Sequence, residues 1–304
     1  MQFIFFAIDR QGGGIFYSAE LGRVALERCK TAREAIKLMG ELIDEYGLYG
    51  TAETLFVADK NEGWIFEMMI TPSGKGGFWI AEKIPDGEFS VAANQLRIHE
   101  IRENDPNQIF NPKLPQMLEE IGWAVYNENG NLDWVKSVRG EEFHHPYYSM
   151  RRVWRAMSKV APSKNFSPHV ENWDSEDYPL SIRPDKKLTL EDVKNLYRDY
   201  YNDTEFDKTS STGAGLFDSP YDYYKKEISE RAILTKKTSY TTISQVNDKL
   251  PAPIFWLAEA TPATNPFVPF AVAKIPENYT RALRTNYDET KMWWAATQVM
   301  AITQ

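Results

Sequence analysis

Two apolar runs on either side of one turn-rich pentapeptide limit what this chain can fold into more than any other feature. Residues 52–58 read Ala-Glu-Thr-Leu-Phe-Val-Ala and residues 64–70 read Trp-Ile-Phe-Glu-Met-Met-Ile, flanking Asp59-Lys60-Asn61-Glu62-Gly63. Asp, Asn and Gly suit the tight backbone of a turn, so the segment is predicted to be a β-hairpin. A third strand is expected over 78–83, after the loop Ser73-Gly74-Lys75-Gly76-Gly77. A fourth, over 89–92, would deliver Asn94 at its end. An amide presented at the end of a core strand is where a sheet enzyme would place a donor to a developing oxyanion.

Helical spacing precedes the hairpin. Ser18 can cap a helix running to Arg28, with Leu21, Val24, Ala25 and Leu26 as its apolar face. Thr31-x-x-Glu34 reads as a capping box for a second helix, with Ala35, Ile36, Leu38, Met39, Leu42 and Ile43 on one face and Gly47 as its stop. Cys29 falls between the two helices and reads as a small, partly buried hydrophobe. Residues 3–8 read as a buried strand, being too short for a membrane span.

After the hairpin region, residues 97–103 are charged and expected to be exposed. Pro106, Pro112 and Pro115 mark a loop, followed by a short helix over 116–123. Residues 133–139 suit strand and helix equally. Ser149 reads as the cap of a helix that ends before Pro162. Residues 163–185 read as loop with a strand over 178–182, then a helix over 189–201 capped by Thr189 with Asp192 three residues on. Residues 202–226 read as irregular, strands are expected over 239–246, 254–259 and 267–272, and a Trp-rich helix starts near Asp288. No repeat or linker divides the 304 residues, so 1–304 is read as a single domain.

Composition excludes some function classes. Net charge is −8, which argues against a nucleic-acid partner. One cysteine permits no internal disulfide and no cysteine-based metal site. His144-His145 invites a metal reading, but adjacent histidines on an extended chain point apart and no further ligand follows at useful spacing, so no cofactor or metal is expected. Ser211-Thr212-Gly213-Ala214-Gly215 lacks the lysine of a phosphate loop and reads as plain loop. Glu53 and Glu67, within the strands, read as carboxylates of structural ion pairs with arginine. No membrane span is expected, and a cytoplasmic location is favoured.

A longer pattern covers residues 17–300. Arg23-Val24-Ala25-Leu26-Glu27-Arg28 with Thr31-Ala32-Arg33-Glu34-Ala35 is followed by Gly50-x-x-Glu53 and Ala58-Asp59-Lys60-x-Glu62-x-Trp64. Ile84-Pro85-Asp86-Gly87, Ala93-Asn94-Gln95 and Pro146-Tyr147-Tyr148-Ser149-x-Arg151-Arg152 come next. Ser181-Ile182-Arg183-Pro184, Arg231-Ala232-Ile233, Thr238-Ser239-Tyr240 and Ala263-Thr264-x-Pro266 complete the series. In this order the motifs resemble the dipeptidase A and secernin family of cysteine-type N-terminal-nucleophile hydrolases.

The resemblance implies an α+β fold, the four-layer αββα sandwich of those hydrolases, and a small peptide as substrate. It implies an N-terminal cysteine whose thiolate attacks an amide carbonyl while its own α-amine acts as base. It places an oxyanion-donating amide at Asn94 and an active-site arginine at Arg152 or, equally by position, Arg151. This chain departs from the pattern by starting Met1-Gln2, so the sandwich is expected to be incomplete, lacking N-terminal strands with the nucleophile and C-terminal helices. Unpaired sheet edges would then favour a homo-oligomer or aggregation. Three readings follow: the charge-stabilising part of a dipeptidase, a non-catalytic remnant with at most a peptide groove, or a scaffold cleaving another amide, as bile-salt and penicillin acylases do.

Overall fold

The computed structural model describes residues 14–138, 147–170, 178–210, 214, 230–235, 238–246, 249, 252–271, 275–280 and 286–302. The strand expected over 3–8, His144-His145 and most of the loop at 211–215 lie outside the described residues. The chain divides into two compact units, Met1–Pro146 with Val170–Pro184, and Tyr147–His169 with Asp185–Gln304.

In the first unit, helices α1 (Ser18–Arg28) and α2 (Ala32–Tyr46) precede strands β1 (Ala52–Ala58), β2 (Gly63–Ile70) and β3 (Gly77–Ile84). The expected hairpin forms, with Ala58 opposite Gly63. Its turn is held by Asp59, whose carboxylate accepts from the N–H groups of Asn61 (2.7 Å) and Glu62 (3.0 Å). The other carboxylate oxygen accepts from the N–H of Ala32 at 2.9 Å, tying the start of α2 to the turn. Thr31 caps α2 by accepting from the Glu34 N–H, but the Glu34 carboxylate returns to the N–H of Lys30, one residue before the capping-box position. Gly47 ends α2 at φ 72°, in the left-handed region that favours glycine.

β2 lies inside an antiparallel sheet of order β1-β2-β3-β5, where β5 is Gln108–Phe110. Its side chains alternate between two buried layers. Trp64, Phe66, Met68 and Ile70 meet Leu21, Ile36, Met39 and Ile43 of α1 and α2. Ile65 and Met69 face Leu114 and Leu118 of α3 (Leu114–Glu120) and Trp134, Val135 and Val138 of α4 (Trp134–Val138). Burial on both faces explains a strand that reads as one apolar run rather than an alternation, and each large side chain so buried contributes about 1.5–3 kcal/mol. Gly40 lets α2 approach closely, since a Cβ there would stand 2.3 Å from the Trp79 ring.

Several expectations change in this unit. Ser18 does not cap α1; it is the first helical residue and buried, and Tyr17 holds the cap position with no side-chain cap bond. Leu26 is 88% exposed, lying off the buried face of α1. The strand expected over 89–92 shrinks to β4 (Phe89–Ser90), paired with β6 (Ser181–Ile182) outside the main sheet. The main sheet takes β5 from the proline-marked loop instead, because Gln108 donates to Glu82 (2.7 Å) and to the Glu100 carbonyl (2.8 Å). Residues 97–103 are not an exposed charged stretch: Arg97, Ile98 and Ile101 are buried. Within the ambiguous 133–139 stretch, Trp134–Val138 is helical, and the Asp133 carboxylate accepts the Lys136 N–H at 2.9 Å.

In the second unit, α5 (Tyr147–Val160) carries the two candidate arginines, and Ser149 lies inside it, fully buried, rather than at its cap. α6 (Leu190–Tyr197) has a complete capping box from Thr189 and Asp192. It stops short of 201 because the Asp199 carboxylate captures the Tyr201 N–H and Tyr201 turns to φ 71°. Strands β7 (Tyr240–Gln245), β8 (Ile254–Glu259) and β9 (Val268–Ala271) form an antiparallel sheet in that order, and α7 spans Met292–Ile302. The protein is a mixed α/β structure built on antiparallel sheets.

Candidate active site

Asn94 belongs to the first unit and Arg151 and Arg152 to the second. Asn94 is not at the end of a core strand. It is exposed in a bend four residues past β4, with φ 57°. Asn tolerates that left-handed backbone better than most residues, because its short polar side chain bonds locally. The bend is tethered on both sides. Before it, Ser90 pairs with Ser181 and its hydroxyl donates to the Leu180 carbonyl at 2.6 Å. After it, Thr54 donates to the Gln95 carbonyl at 3.4 Å, and Glu67 takes the N–H groups of Arg97 (2.5 Å) and Ile98 (3.2 Å).

Glu67 is 0% exposed in the middle of β2. Trp134 Nε1 donates to it at 2.9 Å, so three N–H donors converge on one carboxylate. Burial pushes its pKa up to about 7, against those three donors and the nearby Arg97 charge, which favour the ionised form. Arg97 is 1% exposed, and its Nη2 donates to the carbonyls of Tyr178 (3.0 Å) and Pro179 (2.8 Å). Its Nε and Nη1 are buried without a hydrogen-bond partner, and burial lowers its pKa to about 10. Neither strand carboxylate is the arginine ion pair that the sequence suggested. Glu67 is held by N–H donors, and Glu53 accepts from the Tyr17 hydroxyl at 3.0 Å.

On α5 the neighbouring arginines differ. Arg151 is 3% exposed and forms a two-pronged pair with Glu230, both bonds at 2.9 Å. Its Nη1 donates to the Pro168 carbonyl at 2.5 Å, and its guanidinium lies over the rings of Tyr147 (4.1 Å) and Phe206 (3.6 Å). Arg152 is half-buried, and its Nε and Nη2 donate to the Tyr148 carbonyl at 3.1 and 2.9 Å. One turn on, Arg155 grips Asp199 with two bonds of 2.9 and 2.8 Å, and Lys159 adds a third at 2.8 Å. Burial opposes ionisation of Asp199, but the two cations and the Tyr201 N–H together hold its pKa below the usual carboxylate range.

Cys29 is half-buried at the C-terminal end of α1, and burial, aided by Glu34, pushes its thiol pKa up. Among the described residues no group of three His, Cys, Asp or Glu is placed to hold a metal ion. No described helix is long and apolar enough to cross a membrane. Sequence reasoning missed Arg97, Trp134 and Glu230. A lone glutamate inside the run Trp-Ile-Phe-Glu-Met-Met was the available signal for the first two, since a carboxylate there must find donors.

The chain is 29% identical over 252 residues to a probable dipeptidase of Latilactobacillus sakei, covering 81% of this chain and 48% of that protein. It is 27% identical over 288 residues to a probable dipeptidase B of Lactococcus lactis, covering 90% and 55%. With a dipeptidase of Bifidobacterium longum it shares 25% identity over 303 residues, covering 92% and 52%. The chain thus spans about half the length of the curated relatives it matches. The model of peptidase family C69 matches residues 10–304, and the chain belongs to that family.

Proposed function

We propose that the full-length protein is a cysteine-type dipeptidase of the N-terminal-nucleophile class, and that residues 1–304 supply groups that stabilise charge during amide cleavage. The match of one family model to residues 10–304, with relatives named as dipeptidases, carries this reading. Because that match runs through both compact units, they are read as parts of one domain, and the two-faced sheet of the first unit as part of an αββα sandwich.

In this mechanism a terminal cysteine thiolate attacks the peptide carbonyl and its α-amine takes up and returns the proton. Asn94, exposed on its tethered bend, donates its amide N–H to the oxyanion. Arg152 is the favoured arginine by its place in the Tyr148-Ser149-Met150-Arg151-Arg152 motif of the family pattern. Cys29 is unsuited to be the nucleophile: it lies mid-chain without a free α-amine, and its raised thiol pKa disfavours the thiolate. The attacking sulfur is therefore assigned to a cysteine outside residues 1–304.

The test is turnover of a dipeptide panel by the full-length protein. Hydrolysis is expected, blocked by iodoacetamide, with kcat reduced about 100-fold or more in Asn94→Gly, a change that keeps the left-handed backbone while deleting the donor. Undiminished kcat in that variant would remove Asn94 from the site. Preferential cleavage of bile-salt or other acyl amides would overturn the substrate class.

A further inference from the structure

Glu67 takes no part in the chemistry proposed above, yet its carboxylate sits at 0% exposure between Ile65 and Met69 on the sheet face packed by α3 and α4. A buried carboxylate is tolerated only where donors converge on it, and here the donors are informative. Two of the three are consecutive backbone N–H groups, of Arg97 and Ile98, which follow Asn94 by three and four residues. The third, Trp134, comes from α4 and donates to the same carboxylate oxygen as Ile98. Arg97 extends the brace, because its side chain holds the carbonyls of Tyr178 and Pro179 just ahead of β6, the strand that pairs with β4. The bend carrying Asn94 is thereby fixed at both ends by contacts that lead to one carboxylate and the arginine it anchors.

We propose that Glu67 is a positioning residue for Asn94: it holds the 94–98 backbone on the central strand so that the exposed carboxamide is presented in one orientation. This rests on the reading of Asn94 as an oxyanion donor, and the experiment separates the two. In the full-length protein, dipeptide turnover is compared for Asn94→Gly, Glu67→Gln and the double variant. Glu67→Gln keeps the volume but replaces one accepting oxygen with an NH2 that faces an N–H donor. It is expected to lower kcat about 10- to 100-fold with KM changed less than about threefold. The double variant should be no slower than Asn94→Gly alone, because both changes remove one function.

Losses that multiply in the double variant would overturn the proposal and leave Glu67 a general structural group. Undiminished turnover in Asn94→Gly would instead overturn the oxyanion reading. A second measurement stands apart from catalysis. The Asn94 side-chain amide resonance, identified by its disappearance in Asn94→Gly, should shift or broaden in Glu67→Gln and stay put in the surface control Leu26→Ser. A resonance unmoved by Glu67→Gln would overturn the positioning role whatever the kinetics. If Glu67→Gln fails to fold, Trp134→Phe removes only the side-chain donor and should give a smaller loss with the same coupling to Asn94.

Discussion

The two units bury a carboxylate in opposite ways. Glu67, in the first, is ringed by neutral N–H donors and pushed up to about 7, while Asp199, in the second, is gripped by Arg155 and Lys159 and held low. Both are almost completely inaccessible to water, at 0% and 1% exposure. Burial alone therefore does not set the sign of a carboxylate's shift: the cations on Asp199 outweigh its desolvation, whereas the N–H donors on Glu67 do not. An N–H donor bonds the ionised form without cancelling its charge, whereas a guanidinium fork and an ammonium do both.

The largest expected effect comes from breaking the charged arrangement. Asp199→Ala leaves the partly buried Arg155 facing Lys159 with no anion between them, and should cost about 3–5 kcal/mol by urea unfolding. A loss below about 1 kcal/mol would show that the group is solvated rather than buried.

The next effect sharpens the contrast through pH. The folded-state pKa of Glu67 is raised, so its contribution to stability is fully present below the unfolded value near 4.5 and is lost as pH rises through about 7. The unfolding free energy measured in urea should thus fall from pH 5 to pH 8, by up to about 3 kcal/mol from this group, and Glu67→Gln should remove that slope. Asp199 acts on the other limb. Its folded pKa is lowered, so its contribution is present above the unfolded value and fades as pH falls below about 4. A Glu67→Gln profile that keeps the wild-type slope between pH 5 and 8 would show that this carboxylate is ionised throughout.

The smallest effect is that of Lys159→Ala. The Arg155 fork still neutralises Asp199, so the loss should be about 1 kcal/mol, well below that of Asp199→Ala. Equal losses from the two substitutions would mean that the lysine, not the arginine, carries the pairing.

These two carboxylates also mark where the sequence could be read and where it could not. The hairpin around Asp59, the α2 face through Ile36 and Ile43, and the Thr189 capping box follow from local chemistry, and all three form. Serines misled where burial won: Ser18 and Ser149 suit a cap by type, but both lie within a helix and are buried. The stretch beginning at Arg97 was misread because charge was equated with exposure, whereas the donors and acceptors that make its burial tolerable come from Glu67, 30 residues away, and Tyr178, 81 residues away. The Arg151–Glu230 pair closes across 79 residues, and nothing near Arg151 signals it. At the candidate site, the family pattern pointed to Asn94 by position, but its left-handed bend and two tethers arise from tertiary contacts that no short motif encodes.

The Asp59 carboxylate has a kinetic consequence. It joins a helix start to a hairpin turn across only 27 residues, so α2, β1 and β2 can assemble with little loop-closure entropy. The brace from Arg97 to Tyr178 must wait for a much longer loop to close. Assembly should therefore be sequential, with the Trp64 and Trp79 side maturing in the transition state and the Trp134 side afterwards. Asp59→Ala should slow refolding, whereas Trp134→Phe should chiefly speed unfolding. The reverse pattern in stopped-flow fluorescence would place the nucleus on the other face of the sheet.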